Sequence, residues 1–132
     1  MPKLKNRKGY YYAPYIPDIP STPMNFEIAP KSTEIQATWD NARLYCMFLE
    51  IDGKKDWRLP TKDELNEIYQ TKNDFEKRVE YRSSTEFKRG EYWSSTEFNS
   101  NRACGQYFDT GNQFDCNKNY GGIYVRAIRD IK

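Results

Sequence analysis

The chain has 132 residues and carries a formal charge of only +2, from 21 basic and 19 acidic side chains. That fits one domain and gives no basic footprint for a nucleic-acid duplex. Hydrophobic residues make up 37% and aromatic residues 16%, with eleven Tyr and no His. Rings must therefore supply much of the core, and imidazole acid–base chemistry, Ser–His or Cys–His pairs and most zinc sites are excluded.

Lys3, Lys5, Arg7 and Lys8 open the chain with a small basic arm, which reads as a solvated terminus. No apolar signal-peptide core follows it, and no segment has the apolar length of a membrane span. Display outside a cell is therefore expected to need a carrier, such as a virus particle or another protein. Residues 9–24, GYYYAPYIPDIPSTPM, place Pro at 14, 17, 20 and 23, which forbids a regular helix or central strand. Residues 1–24 are expected to form an extended Tyr/Pro-rich arm, and 25–132 a single domain.

NFEIAP (25–30) alternates as a short strand. TWDNARLYCMFLEIDG (38–53) is expected to be the first helix, with Thr38 as N-cap, Ala42, Tyr45, Cys46 and Leu49 inward, and Gly53 as the stop. DWRLPTKDELNEIYQTK (56–72) is a second helix start, with Pro60 keeping Leu59 extended, a capping box from Thr61 to Glu64 and an inward stripe of Leu65, Ile68 and Tyr69. Glu50, Asp52, Asp63, Glu64 and Glu67 read as a solvated helix face and not as metal ligands.

YRSSTEF (81–87) returns as YWSSTEF (92–98). Two copies are too few for a repeat architecture. The second copy is expected to be a core strand anchored by Trp93, and the first a loop or short element. All three Trp read as core anchors. ACGQYFD, NQFDCNK and GIYVRAIRD follow as short strands, with a two-residue Thr-Gly turn between Asp109 and Asn112. In YVRAIRD, Val125 and Ala127 or Ile128 should point inward, with Arg126 and Arg129 near the surface. Cys104 and Cys116 fall on neighbouring strands, where pairing and two free thiols both remain open. Helices early and strands late give an α+β fold.

TWDNARLYC, DWRLPTKDEL, YWSST and YVRAIRD, in that order between residues 38 and 130, resemble the C-terminal domain of Legionella collagen-like adhesins. Such domains resemble the formylglycine-generating-enzyme branch of the C-type lectin fold. The resemblance implies two helices around a small twisted antiparallel sheet, with termini close together. No motif around Cys104 or Cys116 matches the oxidising cysteines of those enzymes, so the chain is expected to be a non-enzyme. The sugar-binding motifs of calcium-dependent lectins, Glu-Pro-Asn or Gln-Pro-Asp with Trp-Asn-Asp, are also missing. No cofactor or metal is expected.

NSNRACGQYFDTGNQFDCNKNYGG (99–122) contains five Asn among chemically unrelated residues. In this it resembles the variable proteins of diversity-generating retroelements, whose AAC or AAT codons are rewritten at adenines. The resemblance implies a framework of Asn99, Ala103, Phe108, Gly111 and Lys118 within a variable region 98–123. The ligand-binding positions it implies are Phe98, Arg102, Cys104, Gly105, Tyr107, Asp109, Thr110, Phe114, Asp115, Cys116, Tyr120, Gly121, Gly122 and Ile123. The expected partner is a protein or glycan on a cell or particle surface. Two other readings stand beside it: a fixed adhesin domain that binds glycosaminoglycan or another polysaccharide, and an oxidase relative that uses Cys104 or Cys116.

Overall fold

The computed structural model describes residues 25–76 and 87–131, with two short pieces at 5–6 and 10–11; of residues 72–76 only the helical backbone is described. The remainder of the N-terminal arm and the first copy of the echo, apart from Phe87, lie outside the described residues. The short pieces are β1 (Lys5–Asn6) and β2 (Tyr10–Tyr11), an antiparallel pair.

The domain is α+β. β3 (Phe26–Ile28) and β4 (Ile35–Ala37) precede two helices, α1 (Trp39–Phe48) and α2 (Lys62–Glu76). Five strands follow: β5 (Glu91–Glu97), β6 (Arg102–Tyr107), β7 (Gln113–Asn117), β8 (Ile123–Val125) and β9 (Ile128–Asp130). One sheet has the order β4-β8-β5-β6-β7, and β3 pairs with β9 in a second. All pairings are antiparallel except β5 with β8. The register Phe26↔Asp130 brings the two ends of the domain together.

Alternation along β5 divides the interior in two. Trp93 joins a core with Ala29, Trp39, Ala42, Cys46, Trp57, Leu59, Ala103, Ile123, Val125 and Ala127. Its neighbour Tyr92 joins Phe26, Leu65, Ile68, Phe87, Phe108 and Ile128 on the opposite face. α1 covers the first core and α2 the second. Rings fill the space that scarce aliphatics leave: Phe108 lies 4.8 Å from Tyr92 and 5.0 Å from Phe87 by ring centroids. All three Trp are buried.

The helix caps form as the sequence predicts. Thr38 Oγ1 accepts from Asn41 N–H at 3.4 Å. Thr61 Oγ1 accepts from Glu64 N–H at 3.1 Å, while Glu64 Oε1 accepts from Thr61 N–H at 2.9 Å, which closes the capping box.

Two boundaries differ from expectation, the end of α1 and the β6–β7 connection. α1 ends at Phe48, because Leu49 is extended (ψ 136°); Gly53 serves the next turn instead. Asp52 (φ 52°) and Gly53 (φ 80°) close the Ile51–Lys54 bridge, the Asp-Gly geometry of a type I′ turn. α2 starts at Lys62, directly after its Thr61 cap as expected, and 56–60 is extended before it, with Arg58 exchanging two 2.8 Å backbone bonds with Ile128. The β6–β7 connection is a four-residue loop: Tyr107 N–H donates to Asn112 O at 2.8 Å, and Phe108 turns into the core. Gly111 (φ +88°) sits in that loop against the Tyr69 ring.

YVRAIRD is two strands in two sheets, not one. Arg126 lies at the crossing and is buried, which corrects its expected surface place. Residues 125–128 are all buried because both sheets close over the crossing. Arg126 is satisfied there: Nη1 donates to Glu34 Oε1 at 2.8 Å and Nε to Ala29 O at 2.7 Å.

Candidate functional site

Residues 98–123 form β6, β7, the loops flanking them and the start of β8. The framework positions each have a structural task. Asn99 Oδ1 accepts from the N–H groups of Asn101 and Arg102, both at 2.8 Å, fixing the turn into β6. Ala103 and Phe108 are buried, and Gly111 takes the left-handed conformation that favours Gly. Lys118 Nζ donates to Ser100 O at 3.0 Å, pairs with Glu97, and lies 4.4 Å from the centroid of the Trp39 ring. Trp39 in turn donates from Nε1 to Ser94 O at 2.8 Å. Lys118 therefore ties the loop to α1 as well as to the turn.

Between these positions the side chains divide by exposure. Phe98 (59% exposed), Tyr120 (52%), Asp109, Thr110 and Gly121 are open to solvent. Arg102, Tyr107, Phe114, Asp115, Cys116 and Gly122 are half-buried. Cys104, Gly105 and Ile123 are buried, out of reach of a ligand on the folded surface. A Cβ at Gly105 would collide with the Tyr92 carbonyl and the Phe114 ring, so backbone approach fixes Gly there.

The register Ala103↔Cys116 and Gly105↔Phe114 sets Tyr107, Phe114 and Cys116 on one face of the β6–β7 hairpin. Tyr107 and Phe114 have ring centroids 4.8 Å apart at 52°. Cys104 lies opposite Asp115 and faces the other way, which explains why Cys104 and Cys116 are both free thiols. Burial pushes the Cys46 thiol up to about 12 and raises that of Cys116. On the Cys104 side, Arg102 Nε donates to Asp115 Oδ1 at 2.6 Å and Nη2 to Asp115 O at 3.1 Å.

Among the described residues no group of His, Cys, Asp and Glu could hold a metal ion, and no buried side-chain nitrogen or oxygen lacks a hydrogen-bond partner. No helix among them is long and apolar enough to cross a membrane. One surface escaped the sequence reading. Leu44, Met47 and Phe48 are 48%, 61% and 78% exposed on the outer side of α1. Their i, i+3, i+4 spacing was the available signal.

The sequence model of the Lcl C-terminal domain family, the C-terminal domain of the Legionella collagen-like protein, matches residues 20–129. The chain belongs to that family. No curated protein matches it.

Proposed function

We propose that this Lcl-type domain is a non-enzymatic, adhesin-type binding domain with a C-type-lectin-like fold, and that the 98–123 region presents its ligand surface. The ligand is a protein or glycan outside the producing cell or particle. The observation that carries the reading is the division of labour along this segment. Asn99, Ala103, Phe108, Gly111 and Lys118 hold the backbone, while Phe98, Tyr107, Asp109, Thr110, Phe114 and Tyr120 offer ring and polar surface between them. Rigid aromatic side chains give contact area at low entropic cost, as in antibody loops. Arg102 and Asp115 already satisfy each other, so aromatic contact and not charge is the main resource of the face.

The non-enzymatic reading draws on the same geometry. A catalytic thiol needs a depressed pKa, whereas the Cys46 and Cys116 thiols are raised by burial. We further propose that the exposed positions are diversified by a retroelement, on the strength of the Asn-rich composition between framework residues. Buried Gly105 and Ile123 belong in that account to the framework.

The test is deep sequencing of the gene in its source population together with the adjoining DNA. Substitutions confined to the codons of exposed positions in 98–123, and matching adenines of a neighbouring template, are the expected result. A uniform sequence with no adenine bias overturns diversification and leaves a fixed adhesin. Retention on a heparin column that falls steeply with salt would then identify the polysaccharide-binding alternative.

A further inference from the structure

β7 lies at the edge of the five-stranded sheet. Its hydrogen-bonding phase is fixed from both ends, since Tyr107 N–H donates to Asn112 O at 2.8 Å and Lys118 N–H donates to Asn101 O at 2.9 Å. With Gly105↔Phe114 and Ala103↔Cys116 between them, Phe114 and Cys116 bond to β6. Gln113, Asp115 and Asn117 turn their backbone groups outward. The Asn117 carbonyl accepts from Tyr120 N–H at 3.0 Å, and the Asp115 carbonyl accepts from Arg102 Nη2 at 3.1 Å. Among the described residues, nothing bonds the N–H and C=O of Gln113 or the N–H of Asp115. Such an edge is a template for strand addition unless it is guarded, and charge is a common guard.

The sequence of the strand says which partner fits. QFDCN reads amide, apolar, acid, apolar, amide from either end. A two-fold antiparallel pairing centred on Asp115 sets Gln113 opposite Asn117 of a second copy and Phe114 opposite its Cys116. The outward-facing residues then occupy the hydrogen-bonded pairs, and Phe114 with Cys116 the non-bonded pairs, where side chains approach more closely. At the ends the Asn117 carbonyl is shared with Tyr120 N–H and keeps a second lone pair for the pairing; the centre opposes the arrangement more strongly. Two Asp115 carboxylates would meet directly, which is unfavourable, and Arg102 occupies the carbonyl that the pairing needs.

We infer that the β7 edge is a self-pairing surface for a second copy of this chain, held shut by the Arg102–Asp115 clasp. This goes beyond the ligand-binding reading and does not depend on it. Arg102 acts here as a gate: its guanidinium covers the central acceptor, and its partner supplies the repulsion.

The experiment compares the full chain with two double variants by sedimentation equilibrium under reducing conditions, so that thiol oxidation plays no part. Arg102→Ser/Asp115→Ser removes the clasp and leaves the edge amide. Arg102→Ser/Asp115→Pro removes the clasp and also the central outward donor, at an edge position where Pro takes no bond from β6. The Ser/Ser variant should self-associate at least about tenfold more tightly than the wild-type chain, and the Ser/Pro variant should match wild type. Wild-type behaviour of the Ser/Ser variant overturns the inference, and so does equal association of both variants. If the Ser/Pro variant unfolds, hydrogen exchange in the Ser/Ser variant decides. The backbone amides at positions 113 and 115 should become protected as concentration rises, and association without that protection overturns the inference.

Discussion

Glu34 and Arg126 form the most deeply buried ion pair among the described residues, with side chains 5% and 1% exposed. Glu34 Oε1 accepts from Arg126 Nη1 and from the Tyr92 hydroxyl, each at 2.8 Å, and the Tyr92 oxygen accepts from Lys88 N–H at 2.9 Å. The Arg126 guanidinium also lies 4.3 Å from the centroid of Phe87. This network joins the segment before β4, the strand β5 and the crossing from β8 to β9. Glu34→Ala removes the carboxylate that Arg126 Nη1 bonds in the interior, and breaking a buried pair from one side costs about 3–5 kcal/mol. The retained bond from Arg126 Nε to Ala29 O argues for the lower end, about 3 kcal/mol. Lys88 Nζ, 3.8 Å from Glu34 with its side chain 60% exposed, adds little. For a domain of this length that loss lowers Tm by roughly 10–15 °C. Urea and thermal unfolding followed by fluorescence of the three buried Trp would measure it. Glu34→Leu/Arg126→Met should recover most of the loss, because an apolar pair avoids desolvating two charges. A Glu34→Ala cost under about 1 kcal/mol, or a double variant no better than the sum of its singles, would refute the account of a dry, coupled pair.

Further outcomes follow from the caps, the loops and the exposed rings. Thr61→Ala should cost about 1 kcal/mol of stability by urea titration, the loss of one reciprocal cap. Glu64 is held below the usual carboxylate range chiefly by its two hydrogen bonds from Arg58. Its contribution is therefore present above the ordinary Glu value of about 4.3 and is lost as pH falls through the depressed folded value; Glu64→Gln should flatten the acid limb of the stability profile. Gly111→Ala places a Cβ at φ +88° against the Tyr69 ring and should cost on the order of 1–3 kcal/mol. Phe98→Ala and Tyr120→Ala should each change stability by no more than about 0.5 kcal/mol, yet together weaken capture of the cognate surface in a binding screen. Phe114→Ala, which packs against the first core, should destabilise as well. Cys46 should label slowly with a thiol reagent at pH 8, since burial holds its thiol near 12.

The parts of the fold that local chemistry determines were readable in the sequence. The capping box of Thr61 and Glu64, the inward Ala42 and Cys46, and Trp93 as the anchor of β5 all follow from spacing and residue type. The misreadings share one cause. Arg126 looked like the polar position of an alternating strand, but the chain passes between two sheets there, and long-range partners, Glu34 and the Ala29 carbonyl among them, offset its burial. Gly53 looked like a helix stop because Asp-Gly terminates helices and also makes tight turns; the extended Leu49 decided between them. At the candidate site the alternation that would separate Cys104 from Cys116 depends on a register set by the 108–111 loop, which composition does not encode. Buried Gly105 could not be told from a surface Gly without the Tyr92 carbonyl above it.

The same register explains how the 98–123 segment could carry varied side chains on a constant fold. β6 and β7 are joined by backbone bonds, which are indifferent to side-chain identity, and both ends of the hairpin are fixed by framework residues. Phe108 fills the second core at one end; Lys118 and Asn99 hold the turn at the other. What varied side chains can still disturb is the edge. Every substitution at 102 or 115 alters the clasp on the Asp115 carbonyl, so a diversified face would also vary its tendency to pair strands. A surface of this kind must select against open edges at the same positions it offers for binding. The concrete consequence is a correlation: natural variants with apolar or small residues at 102 should retain an acid, Pro or Lys on β7. A population rich in variants lacking both guards, yet monomeric, would show that the edge is protected by something other than Arg102.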